Sequence, residues 1–340
     1  MEGKRSLWID AGKGSAIIMV VLLHFSGWYI ERSSAASSLI FSLSDNTRSL
    51  RMPLFFLISG LLVSSSLQGP SGKTVRRCVN MYALFVFWTS LLLLKDALKG
   101  EGWEIGKLLL PFGYWYFWAL AVYTALALAF ANMGQAGKSL GLTVAAAIYV
   151  AAEEIVGILH SASPEVAGGL YIRDALLNLV WFLVGAFFKK EILHLANTPN
   201  VWARVGAMGG SAVFIVMLWG AQRGDTLAFA GSSISWLILA VSLLPKVETY
   251  HAVRGVAVIG RHTLIIYVLH LYFMSAGTVL VSRGLPLPSG SIGGEVFIII
   301  FTTVAITTSI FIEKCIKRIG LRFLVEGPLI AKRTPASATT

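Results

Sequence analysis

The sequence predicts an all-α integral membrane protein, a bundle of about ten transmembrane helices with both termini in the cytoplasm. Composition is the first observation that predicts this class. Of the 340 residues, 56% are hydrophobic and 13% are charged, and the mean hydropathy is +0.74. Soluble domains have roughly 45–50% apolar and about 25% charged residues. The second observation is an unequal distribution of charge between successive loops, which is typical of membrane proteins with a fixed orientation.

Ten segments are apolar and long enough, or nearly so, to span a bilayer, which takes about 20 residues. Pro53–Leu67 and Ala175–Phe188 are the shortest of them for a straight span. In chain order the predicted spans are Gly14–Ile30, Pro53–Leu67, Val79–Ala97, Tyr114–Ala131, Leu140–Leu159, Ala175–Phe188, Val201–Trp219, Leu227–Leu244, Thr263–Val281 and Glu295–Ile312. We expect residues 1–325 to form one membrane domain and residues 326–340 to be a disordered cytoplasmic tail.

The charge distribution orients this bundle. With both termini inside, 19 of the 28 Lys and Arg residues lie in inner segments and 11 of the 17 Asp and Glu residues lie in outer segments. The positive-inside rule predicts this asymmetry, so topology explains the net charge of +11 without a nucleic-acid partner. Cys78 and Cys315 both lie near basic residues on the predicted cytoplasmic side, so we expect neither a disulfide nor a metal site.

The first predicted helix carries three ionisable residues, Asp10, Lys13 and His24. Eleven residues separate Lys13 from His24, which is within about 20° of three full helical turns, so both side chains lie on one face about 16 Å apart. Asp10 lies three residues before Lys13 and is able to pair with it. A cation at the cytoplasmic end of the helix suits the binding of an anionic donor, and an imidazole deeper in the membrane suits a general base. The alternative is that Lys13 anchors the helix at the interface and His24 forms a structural hydrogen bond.

A second group follows, in which Arg48 and Arg51 are three residues apart and precede an apolar run over Pro53–Gly60. Arginine binds phosphate and carboxylate in a bidentate manner, so these residues are candidates for an anion site. Pro53 suits the first turn of the next helix, and the Ser-Gly pair that ends the run favours close helix approach. An interfacial anchor followed by an ordinary span is the alternative.

A third group covers Gly260–His270, where Thr263, Tyr267 and His270 recur at helical spacing and share one face. A second imidazole within a span is costly in lipid. It either orients the first histidine, lines the path of an acceptor, or forms a hydrogen bond to another helix. A structural or supporting role is slightly favoured.

At these residues the chain resembles the membrane-bound acyltransferase-3 family. The family pattern has Asp, a basic residue and His at the positions of Asp10, Lys13 and His24, followed by the Pro53–Gly60 run. An aromatic motif then corresponds to Trp115–Leu120, and a Gly-basic-x-Thr-Leu run ending in Tyr and His corresponds to Gly260–His270. Four motifs in the same order over most of the chain make the resemblance specific.

The resemblance implies transfer of an acyl group, commonly acetyl, from cytoplasmic acyl-CoA to a hydroxyl at the other membrane face. Lipid-linked or surface carbohydrates are frequent acceptors in the family, and the implied location is a bacterial inner-membrane type of cell membrane. By position, His24 is the catalytic histidine and Lys13 with Asp10 belongs to its paired basic motif. Trp115, Tyr267 and His270 are candidates for contacts with substrate or for supporting roles. No metal is implied.

The family's Arg-x-x-Arg after the second helix, thought to meet the CoA phosphates, is altered in this chain. Arg76 and Arg77 are present, but Asn80 replaces the second arginine, and a literal Arg-x-x-Arg occurs at Arg48 and Arg51 on the predicted outer side. Either Arg76 and Arg77 bind the phosphates, or the Arg48–Arg51 segment folds into the bundle.

Two other classes of protein remain compatible with the sequence. A secondary transporter also has many spans and intramembrane ionisable residues, although we find no pair of inverted, interrupted segments. A non-catalytic membrane partner in polysaccharide export is the other. The acyl group, the acceptor and the oligomeric state are not defined by the sequence.

Overall fold

The computed structural model describes residues 6–33, 38–98, 100, 105–162, 170–198, 201–220, 226–288 and 290–331. These residues form α-helices and one short 3₁₀ turn at Ile105–Leu108, with no β-strand among them. In chain order the helices are α1 (Leu7–Arg32), α2 (Leu39–Asn46), α3 (Arg48–Leu67), α4 (Ser71–Ala97), α5 (Trp115–Asn132), α6 (Gly134–Val150), α7 (Ala152–Ala162), α8 (Ile172–Phe187), α9 (Lys189–Asn197), α10 (Val201–Gly220), α11 (Thr226–Val247), α12 (His251–Arg261), α13 (Thr263–Ser282), α14 (Ser291–Arg318), α15 (Phe323–Glu326) and α16 (Pro328–Ala331).

Seven helices in the described ranges are long and apolar enough to span a membrane, namely α1, α3, α4, α5, α11, α13 and α14. The pair α6 and α7 is an eighth candidate, bent by 60° where the sequence predicts a single span over Leu140–Leu159. Helices α8 and α10 coincide with the predicted spans Ala175–Phe188 and Val201–Trp219 but are not among the seven. The prediction of an all-helical, multi-span membrane protein is confirmed, whereas ten spans and cytoplasmic termini remain predictions.

Helix α3 begins earlier than predicted. It starts at Arg48, so Pro53 is an interior residue of the helix, and its placement in the first turn was wrong. Proline has no backbone N–H, so the carbonyl of Ser49 loses its usual helical partner. The Ser49 hydroxyl instead contacts the Ser232 hydroxyl at 2.8 Å, which ties α3 to α11. The free-energy cost of the interior proline in α3 is therefore offset by tertiary contacts that the first turns of this helix make.

The chain divides into two compact units, each with its own packing. The first unit comprises Met1–Phe55, Leu193–Arg223 and Ala228–Ile319, and the second comprises Phe56–Ile192, Gly224–Leu227 and Gly320–Thr340.

In the first unit, α1 packs most closely against α12. A Cβ added to Gly260 would overlap the carbonyl oxygen of Asp10, and one added to Gly14 would overlap the carbonyl oxygen of Val256. Small residues at a crossing allow two helix backbones to approach closely. Gly14 and Gly260 thus fix how the first turns of α1 lie against α12.

Aromatic side chains hold the other end of α1, and a carboxylate holds the start of the next helix, α2. Trp28 Nε1 donates to Thr278 Oγ1 at 3.0 Å, and the Tyr29 hydroxyl donates to the carbonyl of Pro288 at 2.6 Å. The Glu295 carboxylate accepts from the backbone N–H of Leu39 at 2.6 Å and so caps the first turn of α2. The hydrogen bonds of Trp28 and Tyr29 fix this end of α1, and the close glycine contacts with α12 fix the other. His24 is therefore held in a defined place between the two ends.

In the second unit, α3 and α8 meet through glycines. A Cβ on Gly60 would overlap the carbonyl of Phe182, and one on Gly185 would overlap the carbonyl of Leu57. The close helix approach predicted for the end of the Pro53–Gly60 run is confirmed.

The C-terminal segment of the second unit is folded against α4. The buried Asn80 side chain bonds to the backbone within residues 326–331, the last described residues, and a disordered cytoplasmic tail over residues 326–340 stays a prediction. Asn80 Nδ2 donates to the carbonyl of Glu326 at 2.6 Å, and its Oδ1 accepts from the N–H of Leu329 at 3.0 Å. Trp88 Nε1 donates to the carbonyl of Leu324 at 3.1 Å. Residues 332–340 lie outside the described residues.

Candidate active site

Two histidines from different helices meet inside the first unit. His24 on α1 and His270 on α13 have ring centroids 5.0 Å apart and planes at 89°, so one ring edge points at the face of the other. His270 is buried, with 2% of its surface exposed, whereas His24 keeps partial exposure. The two imidazoles that the sequence singles out separately, 246 positions apart, therefore form one centre in which His24 is the accessible partner.

The ring nitrogens of His270 have no hydrogen bond of regular geometry to the described residues around them. The backbone groups of Ile266 and Tyr267, one turn earlier, form only weak hydrogen bonds with the ring, outside regular hydrogen-bond geometry. The Tyr267 ring lies beside it, with centroids 5.7 Å apart and planes at 39°. The His270 ring is therefore buried and held by neighbouring rings, while its nitrogens are poorly satisfied.

Arg51 belongs to this centre. It is 6% exposed, donates from Nη1 to the carbonyl of Ser44 at 2.6 Å, and lies near enough to His24 for the two groups to interact electrostatically. The sequence left open whether the Arg48–Arg51 segment folds into the bundle, and for Arg51 it does. Arg48, one turn earlier, remains partly exposed. The two arginines therefore have different surroundings, and a shared phosphate site does not follow from their spacing.

A second polar group lies at the first turns of α1. The buried Asp10 carboxylate accepts from Arg261 Nε at 3.3 Å, which joins α1 to the end of α12. The sequence identified Asp10 as a candidate partner of Lys13 and did not foresee Arg261. Lys13 is partly exposed on the same helix face as His24, because α1 is unbroken from Leu7 to Arg32.

An additional cluster, not anticipated from the sequence, follows Arg261. His262 Nδ1 and Glu313 Oε2 are 2.7 Å apart, and Lys317 Nζ is 2.7 Å from Glu313 Oε1. The Glu313 side chain is only 4% exposed. The four-residue spacing of Glu313 and Lys317 was a usable signal for their pairing, whereas nothing local indicated His262.

The aromatic motif lies in the second unit. Trp115, 7% exposed, stacks on Tyr171 with ring centroids 5.9 Å apart and contacts Phe56 at 5.8 Å. The next residue, Tyr116, shares a buried hydrogen bond of 2.9 Å with Ser59, the serine that closes the Pro53–Gly60 run. Two sequence motifs thus meet directly within this unit, and Trp115 is a packed residue there.

Arg76 and Arg77 also lie in the second unit, in the second turn of α4, and both are partly exposed. Arg77 Nη1 is 3.4 Å from the carbonyl of Leu62, a long hydrogen bond. Asn80, where the family pattern has its second arginine, is fully buried against the C-terminal segment. At this position the chain therefore has a residue that holds the C-terminal segment.

The fold and these side chains define a class: a polytopic helical membrane protein with two histidines and an arginine gathered inside its spans. The family model described as an acyltransferase domain matches residues 6–313, nearly the whole chain. The chain belongs to the acyltransferase 3 family and is a membrane acyltransferase. Comparisons with curated proteins and with solved structures find no match.

Proposed function

We propose that this acyltransferase moves an acyl group, in the first instance acetyl, from cytoplasmic acyl-CoA to a hydroxyl of a cell-surface or lipid-linked carbohydrate. His24 acts as general base or as transient acyl carrier. The observation that carries the proposal is the His24–His270 pair at 5.0 Å with Arg51 in electrostatic range. Ionisable groups inside membrane spans are costly, so three of them gathered at one point favour a reaction centre over packing.

The donor is an acyl-CoA, and its anionic end binds at basic residues. Lys13 lies about 16 Å from His24 along the unbroken α1, a distance that the pantetheine arm of CoA must bridge. Asp10, paired with Arg261, holds the first turns of α1 and hence the position of Lys13. Arg76 and Arg77 are proposed as further phosphate contacts, and no metal is required.

Arg51 is assigned to the chemistry rather than to the phosphates. A buried guanidinium near His24 is suited to stabilise the oxyanion that forms when the thioester carbonyl is attacked. Arg48, being partly exposed, keeps its proposed role as an anion contact. Trp115, Tyr267 and His270 are proposed to border the path of the substrates or to support the residues that do.

Two balanced routes lead to the product. In the first, His24 takes the proton of the acceptor hydroxyl, and the hydroxyl oxygen attacks the thioester carbonyl. The CoA thiolate then leaves, and the protonated His24 returns the proton to it. In the second, a His24 nitrogen attacks the thioester, and CoA leaves as the thiol with the proton of the other ring nitrogen. The acceptor hydroxyl then takes the acyl group from the imidazole and returns its proton to the ring. Both routes yield free CoA and an O-acyl ester.

The test uses radiolabelled acetyl-CoA with membranes containing the protein as the source of acceptor. Label entering the carbohydrate and glycolipid fraction should fall to background in His24→Ala. His251→Ala, which removes an exposed histidine from α12, should behave as the unmodified protein. Equal labelling by His24→Ala and His251→Ala would overturn the role of His24. A labelled protein band that is lost with His24→Ala and chased by acceptor would select the acyl-carrier route.

Lys13 is tested separately by donor affinity. Lys13→Ala should raise the KM for acetyl-CoA several-fold while kcat changes less, because an ionic contact to phosphate serves binding. Lys73→Ala, an exposed lysine of α4, is the control. An unchanged KM would remove Lys13 from the donor site. Family membership favours the enzyme over the transporter and export-partner alternatives, and the cell membrane of a bacterial inner-membrane type remains the proposed location.

A further inference from the structure

The second unit contains an apolar groove that the proposed reaction does not use. Its volume is about 500 Å³, within the range of roughly 300–1,000 Å³ for small-molecule sites. It is bordered by one face each of α5, α7 and α8, and α5 is a candidate span. The groove is thus a concave site at membrane depth, where the surrounding solvent is hydrocarbon.

The groove is elongated along the helix axes. On α5 its lining runs from Trp118 through Val122 to Leu126, which covers about 12 Å of a helix about 27 Å long. On α8 it runs from Ile172 to Leu179, about 10 Å. Both stripes begin at the first turns of their helices. The groove therefore extends from the first turns of both helices to about two thirds of the way along α5, parallel to the axis of this candidate span.

The starts of α5 and α8 are fixed side by side at one end of the groove. The backbone N–H of Tyr171 donates to the carbonyl of Pro111 at 2.8 Å, and Phe112 and Leu170 form an antiparallel bridge. Beside this end, Arg173 and Glu153 form an ion pair at 2.6 Å with both side chains partly exposed. We expect such a charged pair, beside the start of α5, to contact the polar head group of a lipid whose chain lies in the apolar groove.

The lining excludes a sugar or a water cluster as the occupant. Of fifteen lining residues only Trp118 and Tyr123 carry side-chain polar atoms. Trp118 Nε1 donates to the carbonyl of Leu109 at 2.9 Å, and the Tyr123 hydroxyl donates to the carbonyl of Ala175. No lining side chain has an unpartnered polar atom in the described residues. A carbohydrate needs hydrogen bonds that these walls do not offer, whereas a hydrocarbon chain needs none.

The third wall comes from the bend between α6 and α7. Ile155, Leu159 and Ala162 recur at four and three residues, so α7 presents one face to the groove. The 60° bend places this short helix across the side of the groove, and Leu159, 39% exposed, forms its open edge.

We propose that this groove binds one acyl chain of a bilayer phospholipid, with the head group beside the Glu153–Arg173 pair. An empty apolar groove forfeits dispersion contacts, and phospholipid acyl chains are the apolar chains that fill the bilayer around it. The site does not depend on the assignment of His24 and is tested without any acyl donor.

The probe is a phosphatidylethanolamine with a photoactivatable diazirine in one acyl chain, mixed into vesicles of phosphatidylethanolamine and phosphatidylglycerol that contain the full protein. Illumination should label the α5 peptide Trp118–Leu126 and the α8 peptide Ile172–Leu179. This labelling should exceed that of α14 around Val304 and Phe311, exposed apolar residues on a lipid-facing surface, by about tenfold. Equal labelling of groove and α14 would show an ordinary lipid-facing surface and overturn the proposal.

Filling the groove supplies the matched comparison. Leu176→Trp, at a partly exposed lining residue of α8, should remove most of the groove labelling. Leu140→Trp, at an exposed α6 residue outside the lining, should not. If Leu176→Trp aggregates, Ala162→Phe at the exposed rim replaces it. Undiminished labelling of a folded groove-filling variant would likewise contradict the proposal.

Discussion

The rings of His24 and His270 meet edge to face, with centroids 5.0 Å apart, and the two differ in access and in bonding. His24 is partly exposed, whereas His270 is buried and neither of its nitrogens has a hydrogen bond of regular geometry in the described part of the structure. A buried polar group without a hydrogen bond costs about 1–3 kcal/mol of folding free energy. This cost favours a functional role for His270 over the structural role that the sequence slightly favoured.

Replacing His270 by Phe separates these roles. Phe keeps an aromatic ring against His24 and removes the two poorly satisfied nitrogens, so we expect unchanged or higher thermal stability. We expect kcat for acetyl transfer to fall by about 10²-fold or more, the scale of acid–base and positioning effects, with little change in the KM for acetyl-CoA. Steady-state kinetics and thermal unfolding in detergent measure both. A less stable variant with unchanged kcat would assign His270 to the fold alone.

Arg51 and Arg48 provide a matched pair, one turn apart on α3 with different burial. If Arg51 stabilises the oxyanion, Arg51→Gln should lower kcat by about 10²–10³-fold, the usual effect of losing one such donor. Arg48→Gln should affect the KM for acetyl-CoA at most. Kinetics at saturating donor distinguish the two, provided that size-exclusion profiles show both variants folded. The reverse pattern, with Arg48 limiting kcat, would place the chemistry away from His24.

The parts of the structure that the sequence predicted well are those encoded within single segments. Apolar runs predicted most helices, and the spacing of Lys13 and His24 requires only that α1 be unbroken, which it is. The 60° break between α6 and α7 was missed, because an apolar run carries no mark of where its axis bends. Helix starts were missed for the same reason: nothing in Arg48–Met52 distinguishes a loop from a first turn.

The pairings between distant segments were not predictable. Arg261 lies 251 positions from Asp10, and no pattern local to either residue indicates the other. The same is true of Arg51 with His24 and of Asn80 with the C-terminal segment. The sequence does show which ionisable residues lie in predicted spans, where lipid makes them costly. Most residues of the candidate site are among these.

Glycines of α12 test the close approach of this helix to α1. A Cβ on Gly260 would overlap the Asp10 carbonyl, whereas one on Gly255 in the same helix meets nothing within 4 Å. Gly260→Ala should lower the free energy of unfolding by about 1–3 kcal/mol through overpacking. Gly255→Ala should be neutral or stabilising, since Ala is the better helix former. Thermal unfolding of the pair measures the difference, and equal behaviour would mean that α1 and α12 do not pack as described.

Asn80 and Gly327 together hold the C-terminal segment against α4. Gly327 has φ of +82°, and a Cβ there would overlap the Asn80 side chain, so glycine is required on both grounds. Asn80 bonds to the backbone on either side of it, at Glu326 and Leu329. The side chain is fully buried, so neither backbone group has water as a ready substitute.

Asn80→Leu should therefore release this segment. Leucine keeps the volume but leaves the Glu326 carbonyl and the Leu329 N–H without their partner, at a cost of about 1–3 kcal/mol each. Hydrogen exchange in residues 323–331 should become faster, while exchange in the body of α4 changes little because its backbone bonds persist. Asn178→Leu is the control, because that buried asparagine donates only to Asp174 one turn earlier in its own helix among the described contacts. If exchange in 323–331 responds equally to both substitutions, Asn80 does not hold the segment and the contact with α4 rests on Trp88 alone.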